Sequence, residues 1–96
     1  MSNILLKLFV AGQTPKSAQV IANLFRVCEA EFANQYEVEI IDVLEQPQRA
    51  EQAQILVTPT LIKEIPLPMR RLIGDFSDAE KLRAVLKIQP TTSFTT

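Results

Sequence analysis

The chain opens with a strand, a turn, a long amphipathic helix and a second strand. That order constrains the fold more than any other feature. Ile4 to Val10 is an apolar run broken only by Lys7, the pattern of a central strand buried on both faces. Ala11-Gly12-Gln13-Thr14-Pro15 is turn chemistry. Thr14 is suited to cap a helix, and Pro15 to the first helical position, where a missing N–H costs nothing. Ala18, Ile21, Leu24, Phe25, Cys28 and Phe32 then recur at three- and four-residue steps, predicting one helix of about 18 residues with a single buried stripe. Tyr36 to Leu44 reads as the next strand, with Glu37 and Glu39 alternating with Val38 and Ile40 before the apolar pair Ile40-Ile41. A helical crossover between two strands of one sheet makes them parallel neighbours.

The remainder predicts a short polar helix from Pro47 through Gln54 and a strand at Leu61-Ile62-Lys63. Pro66 and Pro68 interrupt any regular element, and Met69 to Ile73 reads equally as strand or helix, because short apolar runs do not decide this. Gly74-Asp75 signals a turn. Ser77-Asp78-Ala79-Glu80 has capping-box spacing, with Ser77 as N-cap and Glu80 reaching back. The helix it opens runs to about Ile88 and places Leu82, Val85 and Leu86 on one side. The expected order is βαβαββα in a single α/β domain spanning residues 1–96, with residues 1–3 and 89–96 as frayed tails.

Thr58-Pro59-Thr60 follows the apolar run Ile55-Leu56-Val57, and the loop before the first helix reads Thr14-Pro15-Lys16-Ser17. This combination resembles the thioredoxin scaffold, in which such a proline faces the start of the first helix. Redox members carry two cysteines in that loop, and a thiolate there gains from the helix N-terminus. Thr14 and Ser17 hold those positions here, and their hydroxyls do not ionise near neutral pH. The nucleophile is missing, which points to a binding protein.

Composition narrows the chemistry further. At 96 residues the chain has room for one modest core. A net charge of −1, from ten basic and eleven acidic side chains, builds no field favouring nucleic acid or an anionic membrane. No apolar run approaches the roughly 20 residues that span a bilayer. Met1-Ser2-Asn3-Ile4 lacks the basic region of a signal peptide, and one cysteine forms no internal disulfide, so a cytoplasmic location is expected. Without histidine the commonest general base and metal ligand are absent. The expectation is no enzymatic activity, no metal and no cofactor.

Val10-Ala11-Gly12-Gln13-Thr14-Pro15-Lys16-Ser17, Ile41-Asp42-Val43-Leu44, Pro47-Gln48, Ile55 to Leu61 and Arg70-Arg71-Leu72-Ile73-Gly74-Asp75-Phe76-Ser77 together resemble the KaiB family, from about Ile4 to Leu86. A related domain forms the sensor part of the clock-output kinase SasA. The resemblance implies a non-enzymatic regulator that docks on a KaiC-type hexameric ATPase. Clock members then sequester KaiA and share that ATPase with a SasA-like kinase. It also implies two folds of one sequence: a thioredoxin-like monomer that binds the ATPase, and a βαββααβ form that assembles into tetramers, the C-terminal half being the part that rearranges. Its implied contact residues are Glu37, Glu39, Ile41, Lys63, Arg70 and Arg71. Pro59, Gly74, Asp75, Val85 and Lys87 belong to the rearranging half or its boundary.

Three departures separate this chain from clock-type members. Val85 and Lys87 stand where those carry Gly and Asp, which favours helix by about 1 kcal/mol for the glycine alone. Glu39 replaces a lysine that helps meet KaiC, and a reversed rim charge disfavours the wrong partner. The acidic C-terminal tail is absent. The thioredoxin-like form is therefore expected to be more populated than in clock-type relatives. Two alternatives stand beside this reading. One is a KaiB-like module in stress signalling outside the clock. The other is a thiol-linked redox enzyme using Cys28, whose place on the helical stripe otherwise reads as a buried structural thiol. Asp42 and Asp75 read as local hydrogen-bond acceptors, and Lys16 and Ser17 as capping and solvated residues.

Overall fold

The computed structural model describes residues 4–74 and 76–86. Its elements are β1 (Ile4–Val10), α1 (Pro15–Phe32), β2 (Tyr36–Asp42), α2 (Pro47–Gln52), β3 (Thr60–Ile65), β4 (Arg70–Ile73) and α3 (Ala79–Leu86). They build one four-stranded sheet in the order β2-β1-β3-β4. β1 runs parallel to β2 and antiparallel to β3, and β4 closes an antiparallel hairpin with β3. Of the Met69–Ile73 run, Arg70–Ile73 thus resolves as strand. Asp75, Lys87 and both proposed tails lie outside the described residues.

The two faces of the sheet are covered unequally. Ile4, Leu6, Leu8 and Val10 of β1 and Leu61 of β3 meet Val20, Leu24, Val27 and Cys28 of α1 and Leu82 and Leu86 of α3. Among the described residues the apolar side chains buried on the other face are Phe9, Ile41 and Ile62, beneath the short α2 region with Val43, Ala53 and Ile55. Leu5 and Lys7 are therefore half-buried. Burial on both faces holds for Phe9 and its neighbours and fails towards the start of β1.

Three local expectations change. The buried line of α1 is Ser17, Val20, Leu24, Val27 and Cys28 with Asn23, and Ala18 and Phe25 are exposed. Adjacent apolar pairs (Val20-Ile21, Leu24-Phe25, Val27-Cys28) offer two stripes about 100° apart, and packing buries the first of them together with Cys28. β2 ends at Asp42, because Glu45 and Gln46 donate their N–H groups to the Asp42 carbonyl and turn the chain. The cap of α3 is Asp78 and not Ser77. Asp78 Oδ1 accepts the N–H groups of Glu80 at 2.9 Å and Lys81 at 3.4 Å, the second and third helical positions.

Candidate partner-binding surface

The start of α1 forms as its residues dictate. Thr14 is extended, its Oγ1 accepts the Ser17 N–H at 3.0 Å, and Pro15 occupies the first turn. The Thr14 hydroxyl lies 3.2 Å from Ser17 Oγ. Pro59, on a cis peptide bond, faces this loop: Thr14, Lys16, Ser17, Thr58 and Pro59 line one small cavity of about 150 Å³. The positions that would hold reactive thiols thus hold two hydroxyls bonded to each other, that of Thr14 also capping the helix. Cys28 sits three turns further along α1, fully buried. Burial, and secondarily the charge of Glu29, pushes its thiol up to about 12, so no thiolate forms near neutral pH. Among the described residues no group of three or more Cys, Asp or Glu gathers as a metal site.

Loop and sheet are tied together by Asp42. Its Oδ1 accepts the N–H groups of Gly12 at 2.9 Å and Leu44 at 3.0 Å, the local acceptor role expected of it. At the other end of the crossover Tyr36 Oη donates to Glu29 Oε2 at 2.6 Å, and that bond holds its proton up to about 12. Gly74 sits at φ +103°, a conformation that favours glycine, and its N–H reaches the Pro59 carbonyl at 3.2 Å. The two residues expected at the edge of the rearranging half therefore clasp the base of the β3–β4 hairpin. Val85 lies half-buried on α3.

The six expected contact residues do not form one patch. Glu37, Glu39 and Ile41 follow one another along β2 on the α2 side of the sheet, in register with Leu5, Lys7 and Phe9. Glu37 and Glu39 are exposed, whereas Ile41 is fully buried against Phe9 and Ile62. Lys63, Arg70 and Arg71 belong to β3 and β4, and β4 is the opposite edge, about 14 Å away at the usual strand spacing. Lys63 pairs with Arg70 across the hairpin and faces the α1 side beside Leu6. It is 2% exposed, and desolvation, then the charge of Arg70, lowers its pKa. Arg71 turns to the α2 side and donates to the carbonyls of Ala53 and Gln54, closing the C-terminal end of α2. Glu37, Glu39, Arg70 and Arg71 are thus the surface groups of the set.

Two partners of this surface carry no sequence signal, because they meet only through the fold. Arg49 of α2 grips Glu39 with two hydrogen bonds of 2.9 Å, and this pairing holds the Glu39 carboxyl below its ordinary pKa. Lys7 bonds Glu64 at 3.0 Å, where a register shift between Leu5 and Leu6 leaves Glu64 as the extra residue of β3. The uncovered part of the sheet is thus a charged surface of alternating sign. At the far end of the β3–β4 hairpin, Ile65, Leu67 and Met69 are exposed around the cis bonds preceding Pro66 and Pro68.

This architecture defines a thioredoxin-like domain. It superposes on mitochondrial thioredoxin 3 from Saccharomyces cerevisiae with a TM-score of 0.68, at 18% identity and over 88% of this chain and 76% of that one. It is also similar to the N-terminal domain of Synechococcus elongatus SasA, with a TM-score of 0.73 and 31% identity over 90% of this chain and 85% of that one. The KaiB domain model matches residues 7–88. The circadian clock protein KaiB3 of Synechocystis sp. is 53% identical over 90 residues, 94% of this chain and 88% of that protein. The chain belongs to the KaiB family. No helix among its described residues is long and apolar enough to cross a membrane.

Proposed function

We propose that the protein is a non-enzymatic, clock-type regulator that docks in its thioredoxin-like state on a KaiC-type hexameric ATPase and modulates its cycle. The observation that carries this reading is a KaiB-family chain whose redox loop is filled by the capping pair Thr14 and Ser17, with its one cysteine buried and held protonated. The scaffold offers surface and no nucleophile. Glu37 and Glu39 on β2 and Arg70 and Arg71 on β4 supply the polar contacts, and the buried Ile41 and Lys63 support them. The Glu39–Arg49 pair replaces a single positive charge with a neutral, bidentate one, which tunes the choice among ATPase homologues. KaiA and a SasA-like kinase would meet the protein through the same ATPase.

The residues after Thr60 are proposed to exchange with the βαββααβ tetramer arrangement of the family. Any fraction held there lowers the apparent affinity in proportion. Val85, in place of a glycine, biases the exchange towards α3. Native mass spectrometry of the protein with the KaiC homologues of its own organism, in the presence of ATP, tests the proposal. A stoichiometric complex with one of them is expected, and no complex with any of them at micromolar concentration overturns it.

A further inference from the structure

α1 lies on the sheet so that a groove opens beside it. Its Val20–Leu24–Val27 line enters the core, so its flank at Ala18 and Ile21 is left beside the edge strand. With the half-exposed Ile40 of β2 and with Val10, that flank walls an open groove of about 570 Å³. This volume falls within the roughly 300–1,000 Å³ of sites that take a whole small molecule.

Among the described residues the charged side chains lining the groove are both acidic. Asp42 and Glu45 stand in its lining, and no lysine or arginine does. Asp42 is held in place by the N–H groups of Gly12 and Leu44, both on its Oδ1. The start of α1 also borders the groove, and three of its first four residues have no N–H to give an anion. Pro15 has no N–H, that of Ser17 is taken by Thr14 Oγ1, and that of Ala18 by the Thr14 carbonyl. Apolar walls with two carboxylates match an apolar body carrying one cationic head.

We propose that this groove binds a small organic amine as its alkylammonium ion, the carbon chain lying on Ala18, Ile21 and Ile40 and the ammonium reaching Asp42 and Glu45. The groove holds a whole molecule, which favours a free amine over the tip of a lysine from another protein. The inference does not depend on the ATPase reading, and either can fail alone.

The test is a ¹⁵N-resolved NMR titration of the intact protein with n-hexylammonium, hexanoate, n-hexanol and Nα-acetyl-lysine methylamide. Hexylammonium is expected to shift Gln13, Ile21, Ile40 and Glu45, and to bind at least about 10-fold more tightly than hexanoate or hexanol. Its affinity should fall as salt rises. Glu45→Gln, at an exposed position, should weaken it several-fold. Ala18→Phe, on the exposed flank of α1, should abolish it by filling the groove, while both variants keep the spectrum of the folded protein. Equal binding of hexanoate, shifts centred on another surface, no saturable binding at millimolar amine, or tighter binding of the lysine derivative would each overturn the proposal.

Discussion

The two halves of the sheet are held together in different ways. From Ile4 to Asp42 the chain buries Ile4, Leu6, Leu8, Phe9, Val10, Val20, Leu24, Val27, Cys28 and Ile41, most of them against one another. After Pro59 it buries Leu61, Ile62, Phe76, Leu82 and Leu86, while Ile65, Leu67, Met69 and Ile73 stay exposed. The second half also leans on single ties: Gly74 to Pro59, the Phe76 carbonyl to Asn23 Nδ2 at 3.3 Å, and Arg83 to Glu31 at 3.0 Å. Burial scales with apolar area removed from water, so among the described residues the βαβ half contributes more of the buried apolar surface than the ββα half docked onto it. The refolding proposed above for the residues after Thr60 would move the half that buries less.

The largest effects should separate the halves. Leu24→Ala removes a fully buried side chain from α1 and should cost about 2–5 kcal/mol, lowering urea stability of the whole domain. Leu82→Ala, equally buried in α3, should instead lower amide protection mainly in residues 60–86 and leave β1 and α1 protected. Equal loss of protection everywhere in the second variant would break the comparison. Asp78→Ala should remove about 1 kcal/mol by uncapping α3, visible as lost helical shifts at Ala79–Leu86, with Asp78→Ser recovering most of it. Arg71→Met should cost about 0.5–1.5 kcal/mol in a chemical-denaturation series, through the freed carbonyls of Ala53 and Gln54.

The pH response should come chiefly from the first half. The folded protein raises the Cys28 and Tyr36 pKa values from about 9 and 10 to about 12. Their contribution is therefore complete below pH 9 and is lost as pH rises towards 12, where the unfolded chain sheds these protons first. Cys28→Ser should flatten the lower part of that alkaline loss in pH-dependent thermal unfolding. Glu39 acts in the opposite direction. Its pKa is lowered in the folded state, so its contribution is present above the ordinary carboxylate value and lost as pH falls through the lowered one. Exposure to solvent makes this the smallest effect of the series.

How far the residues could be read follows the same division. β1, α1 and the cap at Thr14 were legible because their signals are local: a continuous apolar run, a 3.6-residue period, and a hydroxyl before Pro15. β4 was ambiguous because Arg70-Arg71-Leu72-Ile73 has no period of its own, and only pairing with β3 makes it a strand. The α3 cap was misplaced by one residue because Ser77 and Asp78 are both good caps, and the choice depends on how the chain leaves Gly74. The expected contact set mixed surface groups with buried Ile41 and Lys63, since alternation along a strand does not tell which face another element covers. The partners Arg49 and Glu64 arise from tertiary placement, so no local pattern announced them.

Residue-resolved NMR of the free protein, with its mass in solution, tests the central claim most directly. A monomer should show helical shifts over Ala79–Leu86, a cross-strand contact between Leu61 and Leu72, and weaker amide protection there than in β1 and α1. Strand shifts over Ala79–Leu86 in a tetramer, or protection as strong in that segment as in β1, would contradict it.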